Sequence, residues 1–487
     1  MPPSEPQIPS LQTSPSFESE KFGSRFPSVR GLTALHTQIS SNSVPHLMGI
    51  FLIGVGFILF SRTLEDTQGF DTTLFYLFMQ LAPLVYGLFA QKVTYFAFWS
   101  FSNFIFCGTG NLNDLLTYGT GLKLAPLQIA SMRESTICYL LVFQVYLFCR
   151  YLIRPRPTPL KSFYEISLPK KHLLAAAGFV FVHPFIESYI PNGLIHPLSL
   201  FRNFCLVICV SSSCPLSPRY KWFSLSLVFI ASGLAFVWTG FLGPLGYTLS
   251  LYALSSVLQK KHQFIPTLIV GFGLFTLLQP IKAAYRGIIY NSGAGLDTLQ
   301  RIDTLKVLSV EQYQFGNSDE AKSSILNRLD EDTLSRVMTF TPKFVPYWNG
   351  KTYETALFAL IPRAIWPDKP RQDWGNTFGR LYRVLDEEDY RTSITCGYFP
   401  EGYINFGFAG LYTVAAVIGL LLIMMESASI ILFRKNLASA YILGAIPFFG
   451  ELSMGQLLNN LVAAILFMLL IQWYLNRERA SVRRPFS

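Results

Sequence analysis

The chain has 487 residues, of which 51% are hydrophobic and only 14% are charged, and its mean hydropathy is +0.36. Soluble domains usually carry about 25% charged residues, so this composition excludes a disordered chain and argues against a purely soluble enzyme. The net charge of +10 would suit a nucleic-acid partner, but the placement of the cations along the chain argues against one.

The first 43 residues are rich in Ser and Pro and contain no apolar stretch behind a short basic start. They are predicted to form a disordered cytoplasmic tail rather than a cleaved signal peptide. After them, apolar stretches of the length that crosses a bilayer, about 20 residues, recur along the chain. They predict an all-α polytopic membrane protein with about twelve transmembrane helices, nine within 44–282 and three within 408–475: 44–60, 72–90, 92–108, 134–151, 172–190, 195–214, 222–241, 243–259, 263–282, 408–431, 437–453 and 456–475.

The distribution of Lys and Arg predicts the orientation, because cytoplasmic loops are enriched in both. If the N-terminus is inside, the inside segments hold twenty Lys and Arg, and the short outside loops hold three: Arg62, Lys123 and Arg133. Both termini, including the basic tail 476–487, are therefore expected in the cytoplasm. Because these cations lie on separate loops rather than on one face, no nucleic-acid partner is predicted.

Residues 283–407 form a long segment that this topology places outside, with fourteen Lys and Arg and sixteen Asp and Glu. Long ordered loops are usually functional. A Leu or Ile at every third position predicts an amphipathic helix over 296–308, and 323–340 has a similar stripe that Pro342 ends. Such helices are expected along the membrane surface, with simple packing over the helix ends as the alternative.

Four ionisable residues fall in the outer halves of the predicted spans: Glu187, Arg202, Lys282 and Glu451. Charged groups within a membrane usually face a cavity. We therefore expect a polar cavity open to the outside and lined by Arg202, Glu187 and Lys282, although side chains reaching from helix ends to the interface would explain the same pattern. Glu426 is predicted to be an interfacial anchor near the inner end of its span.

The outside segment carries a set of cations and one isolated carboxylate, Glu401. Arginine matches phosphate oxygens in pairs, and the natural anion held by a membrane is a lipid pyrophosphate. Fixed cations stabilise the charge that grows on a departing pyrophosphate, and a carboxylate can take the proton of an attacking sugar hydroxyl. No C-x-x-C pair and no i, i+4 pair of His occurs, so neither a metal nor another cofactor is predicted. The cations are Arg286, Arg336, Arg363, Lys369, Arg371 and Arg380.

Several strings in this segment resemble the O-antigen and exopolysaccharide repeat-unit polymerases, the Wzy-type family. The resemblance implies a glycosyltransferase with a GT-C-like helix bundle and one large periplasmic loop in the bacterial inner membrane. It would join undecaprenyl-pyrophosphate-linked oligosaccharide units into a polymer without a metal. The strings are K-A-A-Y-R (282–286), L-S-R-V (334–337), V-P-Y-W-N-G-K-T-Y (345–353), I-P-R-A-I-W-P-D-K-P (361–370) and E-G-Y-I-N-F-G-F-A-G (401–410).

The resemblance also implies roles for individual residues. Arg336, Arg363, Lys369 and Glu401 occupy its polar motif positions, and Trp366, Pro367, Pro370, Asn405 and Gly407 set the shape. Combined with the charge pattern, this predicts Glu401, Arg363 and Lys369 as catalytic residues. Arg286, Arg336, Arg363 and Lys369 are predicted to bind the pyrophosphate.

Other functions remain open from the sequence. A glycolipid flippase of the same pathway is the main alternative, and an assembly subunit without activity is another. An O-antigen ligase is less favoured, because no His lies between residues 283 and 407. The expected partners are the undecaprenyl-pyrophosphate-linked oligosaccharide, the lipid bilayer and a chain-length regulator protein. The sugars, their linkage and the kind of polysaccharide stay open.

Overall fold

The computed structural model describes residues 71–80, 96, 99–100, 126–153, 170–186, 192–212, 218–240, 242–258, 264–291, 297–314, 333–354, 366, 374–390, 392–394, 396–431, 452–458, 460–462, 465–466, 469 and 473. Within these residues the regular structure is helical and no strand occurs, which confirms the all-α prediction. The predicted tails 1–43 and 476–487 and the predicted span 44–60 lie outside the described residues.

Among the described residues, a helical segment over 71–80 precedes ten named helices. These are α1 (Pro126–Ile153), α2 (Lys170–Ile186), α3 (Asn192–Ser212), α4 (Pro218–Thr239), α5 (Gly243–Leu258), α6 (Phe264–Asn291), α7 (Thr298–Gln314), α8 (Thr333–Phe340), α9 (Trp374–Leu381) and α10 (Tyr398–Ile431).

Three helical stretches are long and apolar enough to cross a membrane: Pro126–Leu152, Trp222–Thr239 and Tyr398–Ser427. Two shorter apolar helices cover Leu173–Ile186 and Phe201–Val210. The chain therefore has the helices of a membrane protein, but the described residues support three candidate spans rather than the twelve predicted. One reason is length: α5 has 16 residues, which rise about 24 Å against a hydrocarbon core of about 30 Å.

Two helix boundaries differ from the prediction. The span predicted to end at Lys282 continues as α6 to Asn291, because Ala283 and Ala284 are strong helix formers and no proline stops the helix. Lys282 and Arg286 therefore lie within a helix rather than at its end or after it. At the other boundary, α1 begins at Pro126, so Arg133, predicted in a loop, also lies inside a helix.

The main helix contacts fall into two packing groups. In the first group α1 packs along α10, and α8 contacts both. Gly419 allows this close approach, because a Cβ added there would lie 2.7 Å from the carbonyl oxygen of Val142. In the second group α4 contacts α2, α5 and α7, while α6 contacts α5 and α7.

Buried polar clusters join α1 and α10 at two levels. Glu426 is buried, its Oε1 lies 3.4 Å from Arg150 Nη2, and Tyr146 donates its hydroxyl proton to the other oxygen. Near the opposite ends, the Tyr412 hydroxyl donates to Glu134. The two levels show that α1 and α10 run parallel. Glu426, predicted to be an interfacial anchor near the inner end of its span, is thus paired with Tyr146 and Arg150 on another helix.

We expect Glu426→Ala to lower the free energy of unfolding by about 2 kcal/mol, since it leaves Arg150 in a mostly apolar setting without its carboxylate. Denaturant unfolding of the purified protein in detergent micelles measures the loss. The matched control is Asp303→Ala, which removes an exposed pair with Lys306 and should change stability by less than about 0.5 kcal/mol. Equal effects of the two substitutions would contradict a stabilising role for the buried cluster.

Candidate functional site

A break divides α10 into two pieces. Phe406 (φ −140, ψ 19) and Gly407 (φ 63, ψ −146) leave the helical conformation, so a short piece over 398–405 precedes a long piece over 408–431. The positive φ at residue 407 favours glycine. A Cβ there would also lie 3.0 Å from the Tyr347 hydroxyl, so the break accepts no side chain without rearrangement.

The two pieces cross in backbone contact at two further glycines. A Cβ added at Gly402 would lie 2.7 Å from the carbonyl oxygen of Gly410, and one added at Gly410 would lie 2.1 Å from that of Gly402. In a straight helix, residues eight apart are separated by about 12 Å along the axis. The chain therefore folds back at the break, and this places the short piece beside the start of the long one.

The loop over 345–353 holds the end of the short piece. Trp348 N donates to the carbonyl oxygen of Ile404 at 3.0 Å, and Gly350 N donates to Asn405 Oδ1 at 2.9 Å. The last carbonyls of a helix have no partner within that helix. The loop supplies partners for them and so fixes the orientation of the short piece.

Asn405 connects the loop to the residue predicted as the base. Its Nδ2 donates to Thr352 Oγ1 at 2.8 Å and to the backbone carbonyl oxygen of Glu401 at 2.9 Å. Asn405 and Glu401 have no exposed surface. A buried amide with both ends bonded holds its neighbours in one arrangement, so Asn405 fixes the loop and Glu401 relative to each other.

Glu401 is held through one of its two carboxylate oxygens. Oε2 accepts the N–H of Met454 at 2.6 Å, at the start of a helical turn that Ser453 and Gln456 cap reciprocally. The positive end of that turn stabilises the carboxylate. The other oxygen, Oε1, is buried and makes no hydrogen bond of ordinary geometry within the described residues.

Tyr353 and Cys396 surround this carboxylate. The Tyr353 ring stacks on Phe406 with centroids 6.2 Å apart, and its buried hydroxyl makes no hydrogen bond of ordinary geometry within the part of the chain described. Burial, and after it the Glu401 carboxylate, raises the pKa of both the Tyr353 phenol and the Cys396 thiol. Both groups are therefore protonated at neutral pH, and Cys396 is not a thiolate nucleophile.

Arg336, predicted to bind pyrophosphate, lies on α8 within the packing group of α10. It is exposed, and its Nη1 donates to the carbonyl oxygens of Tyr382 and Arg383 at 3.4 and 3.2 Å. Tyr382 is buried beneath this turn, where its hydroxyl bonds with Thr341 and burial raises its pKa to about 12. These two hydrogen bonds hold the Arg336 guanidinium against the turn after α9.

The structure does not place the remaining predicted residues together with Glu401. Arg202, Lys282 and Arg286 belong to the second packing group. Arg202 donates to Asn203 Oδ1 at 3.1 Å, and the aliphatic part of Arg286 fills the space that a Cβ at Gly240 would occupy. Glu187, Arg363 and Lys369 lie outside the described residues.

The buried cation Arg301 was not predicted as a functional residue from the sequence. Arg301 on α7 donates to the carbonyl oxygen of Trp238 at 2.6 Å, and its guanidinium lies 5.6 Å from the centre of the Trp238 ring. It lies in the predicted amphipathic helix over 296–308 but outside its apolar stripe, so the pattern gave no sign that Arg301 is buried. Thr352 and Tyr353 were missed as well, and their only signal was membership of the 345–353 string.

Comparison with known proteins identifies a family. No curated protein and no solved structure matches the chain. One family model, described as a domain of unknown function (DUF8712), matches residues 159–481 of the 487. This match includes helices α2 to α10 and the whole Glu401 site. The chain therefore belongs to the DUF8712 family.

Proposed function

We propose that the protein is an oligosaccharide repeat-unit polymerase of the bacterial inner membrane. One observation carries the proposal: of the strings that resemble the polymerases, 345–353 and 401–410 meet at Glu401, and 334–337 belongs to the same packing group. Two of them exchange hydrogen bonds around a buried carboxylate, and the third lies on α8, which packs against α10. Strings that are separate in sequence and converge on one acidic group are typical of an active site.

The proposed topology has about twelve spans, both termini in the cytoplasm and residues 283–407 in the periplasm. It requires the fourth and tenth predicted spans to run in the same direction, and α1 and α10 are parallel. It also requires the C-terminal ends of α2, α4 and α6 to lie on the same side of the membrane. Phe185 on α2 contacts Trp238 on α4, and Tyr285 on α6 donates to the carbonyl oxygen of Val237.

The proposed reaction transfers a growing glycan to a second lipid-linked unit. A hydroxyl oxygen of the acceptor sugar forms a bond with the anomeric carbon of the donor. The bond from that carbon to the pyrophosphate breaks, and its electron pair leaves on the lipid pyrophosphate. The hydroxyl proton passes to Glu401 Oε1, the oxygen that Met454 does not engage.

Protein cations stabilise the leaving group in place of a divalent metal. Arg363 and Lys369, with the exposed Arg336 on α8, bind the pyrophosphate. Arg286, also predicted to bind it, lies on α6 in the second packing group, which the main helix contacts do not bring to Glu401. Arg202, Lys282 and Glu187 line the entrance on the lipid side. The site needs no other cofactor, and a chain-length regulator protein would act on the polymer from outside this site.

The test uses purified protein in lipid nanodiscs with the lipid-linked repeat units that accumulate in a strain lacking the gene. We expect the wild-type protein to convert them into a ladder of longer chains. The double substitution of Arg363→Ala and Lys369→Ala should slow lengthening about a hundredfold, because it removes charge from the leaving group.

The control is the double substitution of Lys306→Ala and Lys343→Ala, which removes two exposed cations from the same segment. It should leave the rate within about twofold of wild type. If the double Arg363 and Lys369 variant lengthens chains normally, the assigned roles are wrong. If the wild-type protein reconstituted in lipid vesicles moves single units across the bilayer and lengthens no chains, the protein is a transporter.

A further inference from the structure

The Glu401 site contains two buried oxygen atoms that make no hydrogen bond of ordinary geometry within the described residues, Glu401 Oε1 and the Tyr353 hydroxyl. The Thr352 hydroxyl lies close to the Glu401 carboxylate, and the Asn405 amide lies close to the Tyr353 hydroxyl. Buried polar atoms of native proteins are nearly always paired, and an unpaired one is costly. We propose that a hydroxyl of the acceptor sugar binds between these two oxygens. This inference rests on the proposed polymerase function and adds Tyr353 to its predicted catalytic residues.

The surrounding contacts fix both oxygens. Tyr353 follows Thr352, whose hydroxyl oxygen accepts Asn405 Nδ2 at 2.8 Å, and the same Nδ2 reaches the Glu401 carbonyl oxygen at 2.9 Å. The Tyr353 ring is stacked on Phe406, and Glu401 Oε2 is bound to an amide. Each side chain is thus anchored at one point and keeps one polar atom for another group, as a preorganised binding site requires.

The two oxygens select the kind of group that fits. A carboxylate only accepts hydrogen bonds, whereas a protonated phenol donates one. The group between them must therefore donate to Glu401 and accept from Tyr353, which a hydroxyl does with one lone pair left for attack. A phosphate is disfavoured because it would face the carboxylate.

Tyr353→Phe is the decisive variant, because it removes one oxygen and keeps the ring stacked on Phe406. The assay uses lipid-linked units extracted from the deletion strain and follows both chain lengthening and release of lipid pyrophosphate by water. We expect kcat/KM for lengthening to fall about tenfold. The ratio of hydrolysis to lengthening should rise, because the acceptor hydroxyl loses its position while water still reaches the donor.

The stability of the same variant separates a binding role from a structural one. Removing a buried hydroxyl that makes no hydrogen bond of ordinary geometry within the described residues should leave Tm unchanged or raise it. The matched control is Tyr382→Phe, which removes a buried hydroxyl that is paired with Thr341. This control should lower Tm and leave the ratio of hydrolysis to lengthening at the wild-type value.

Two results would overturn the inference while the polymerase function stands. One is wild-type lengthening and an unchanged hydrolysis ratio in Tyr353→Phe. The other is a fall in Tm as large as that of Tyr382→Phe, which would mean that the Tyr353 hydroxyl has a structural partner. If the wild-type protein itself lengthens no chains, the proposed function fails and the assignment of this subsite fails with it.

Discussion

Gly410→Ala is expected to prevent the two pieces of α10 from crossing and to lower the free energy of unfolding by about 3 kcal/mol or more. The added Cβ would lie 2.1 Å from the carbonyl oxygen of Gly402 and 2.9 Å from the Phe406 Cβ. Backbone atoms cannot rotate away as the end of a side chain can, so the crossing itself must open. Denaturant unfolding in detergent micelles and the yield of folded protein measure the effect.

A matched control is Gly233→Ala in α4, where a new Cβ meets no atom within 4 Å. Because alanine is the better helix former, this substitution should be neutral or stabilise the protein by about 0.5–1 kcal/mol. Gly402→Ala should resemble Gly410→Ala, since it obstructs the same crossing from the other side. A Gly410→Ala protein as stable as the control would contradict the described path of α10.

Glu401→Gln is expected to reduce chain lengthening about a thousandfold while the protein still folds. The amide oxygen of glutamine can accept the Met454 N–H in place of Oε2, but a neutral amide cannot take the proton of the attacking hydroxyl. Lengthening of lipid-linked units in nanodiscs gives the rate, and Tm gives the stability. Glu401→Ala should lose both activity and stability, because the Met454 amide then lacks its acceptor.

The control for activity is Glu354→Gln, which neutralises an exposed carboxylate in the turn that carries Tyr353. Its rate should stay within about twofold of wild type. If Glu401→Gln lengthens chains as fast as this control, Glu401 only anchors the turn at Met454, and the proton must go elsewhere.

The sequence predicted much of the helix positions, since apolar stretches and charged loops define them. The prediction of helix ends failed at α6, where the local helix propensity of Ala283 and Ala284 extends the helix to Asn291. The prediction of spans failed at α5, whose 16 residues are too few to cross a bilayer. The pairing of Glu426 with Arg150 could not be predicted from hydropathy, because the two residues lie far apart in the chain. Helix patterns carry no information on which helices pack together.

The candidate site was also predicted only in part, because the rest depends on contacts between segments that are distant in sequence. Glu401 stood out as an isolated carboxylate inside a glycine-rich string, and Asn405 and Gly407 were assigned roles in shape. The fold-back at Gly402 and Gly410 was not predicted, because glycine spacing does not tell a tight crossing from an ordinary helix. Tyr353 was not predicted, because what distinguishes it is a buried hydroxyl without a hydrogen bond of ordinary geometry within the described residues, and this depends on contacts between distant segments.

The parallel pair of α1 and α10 has a consequence for how the protein is made. At about 5–20 residues per second, the ribosome needs tens of seconds after completing α1 before it finishes α10. During that interval Glu134 and Arg150 are already synthesised, but Tyr412 and Glu426, which bond to them in the finished protein, are not. The insertion machinery or chaperones must therefore hold the early helices in the membrane while these polar groups lack their partners. A chain truncated before α10 leaves the same groups without partners, and quality-control proteases can recognise them.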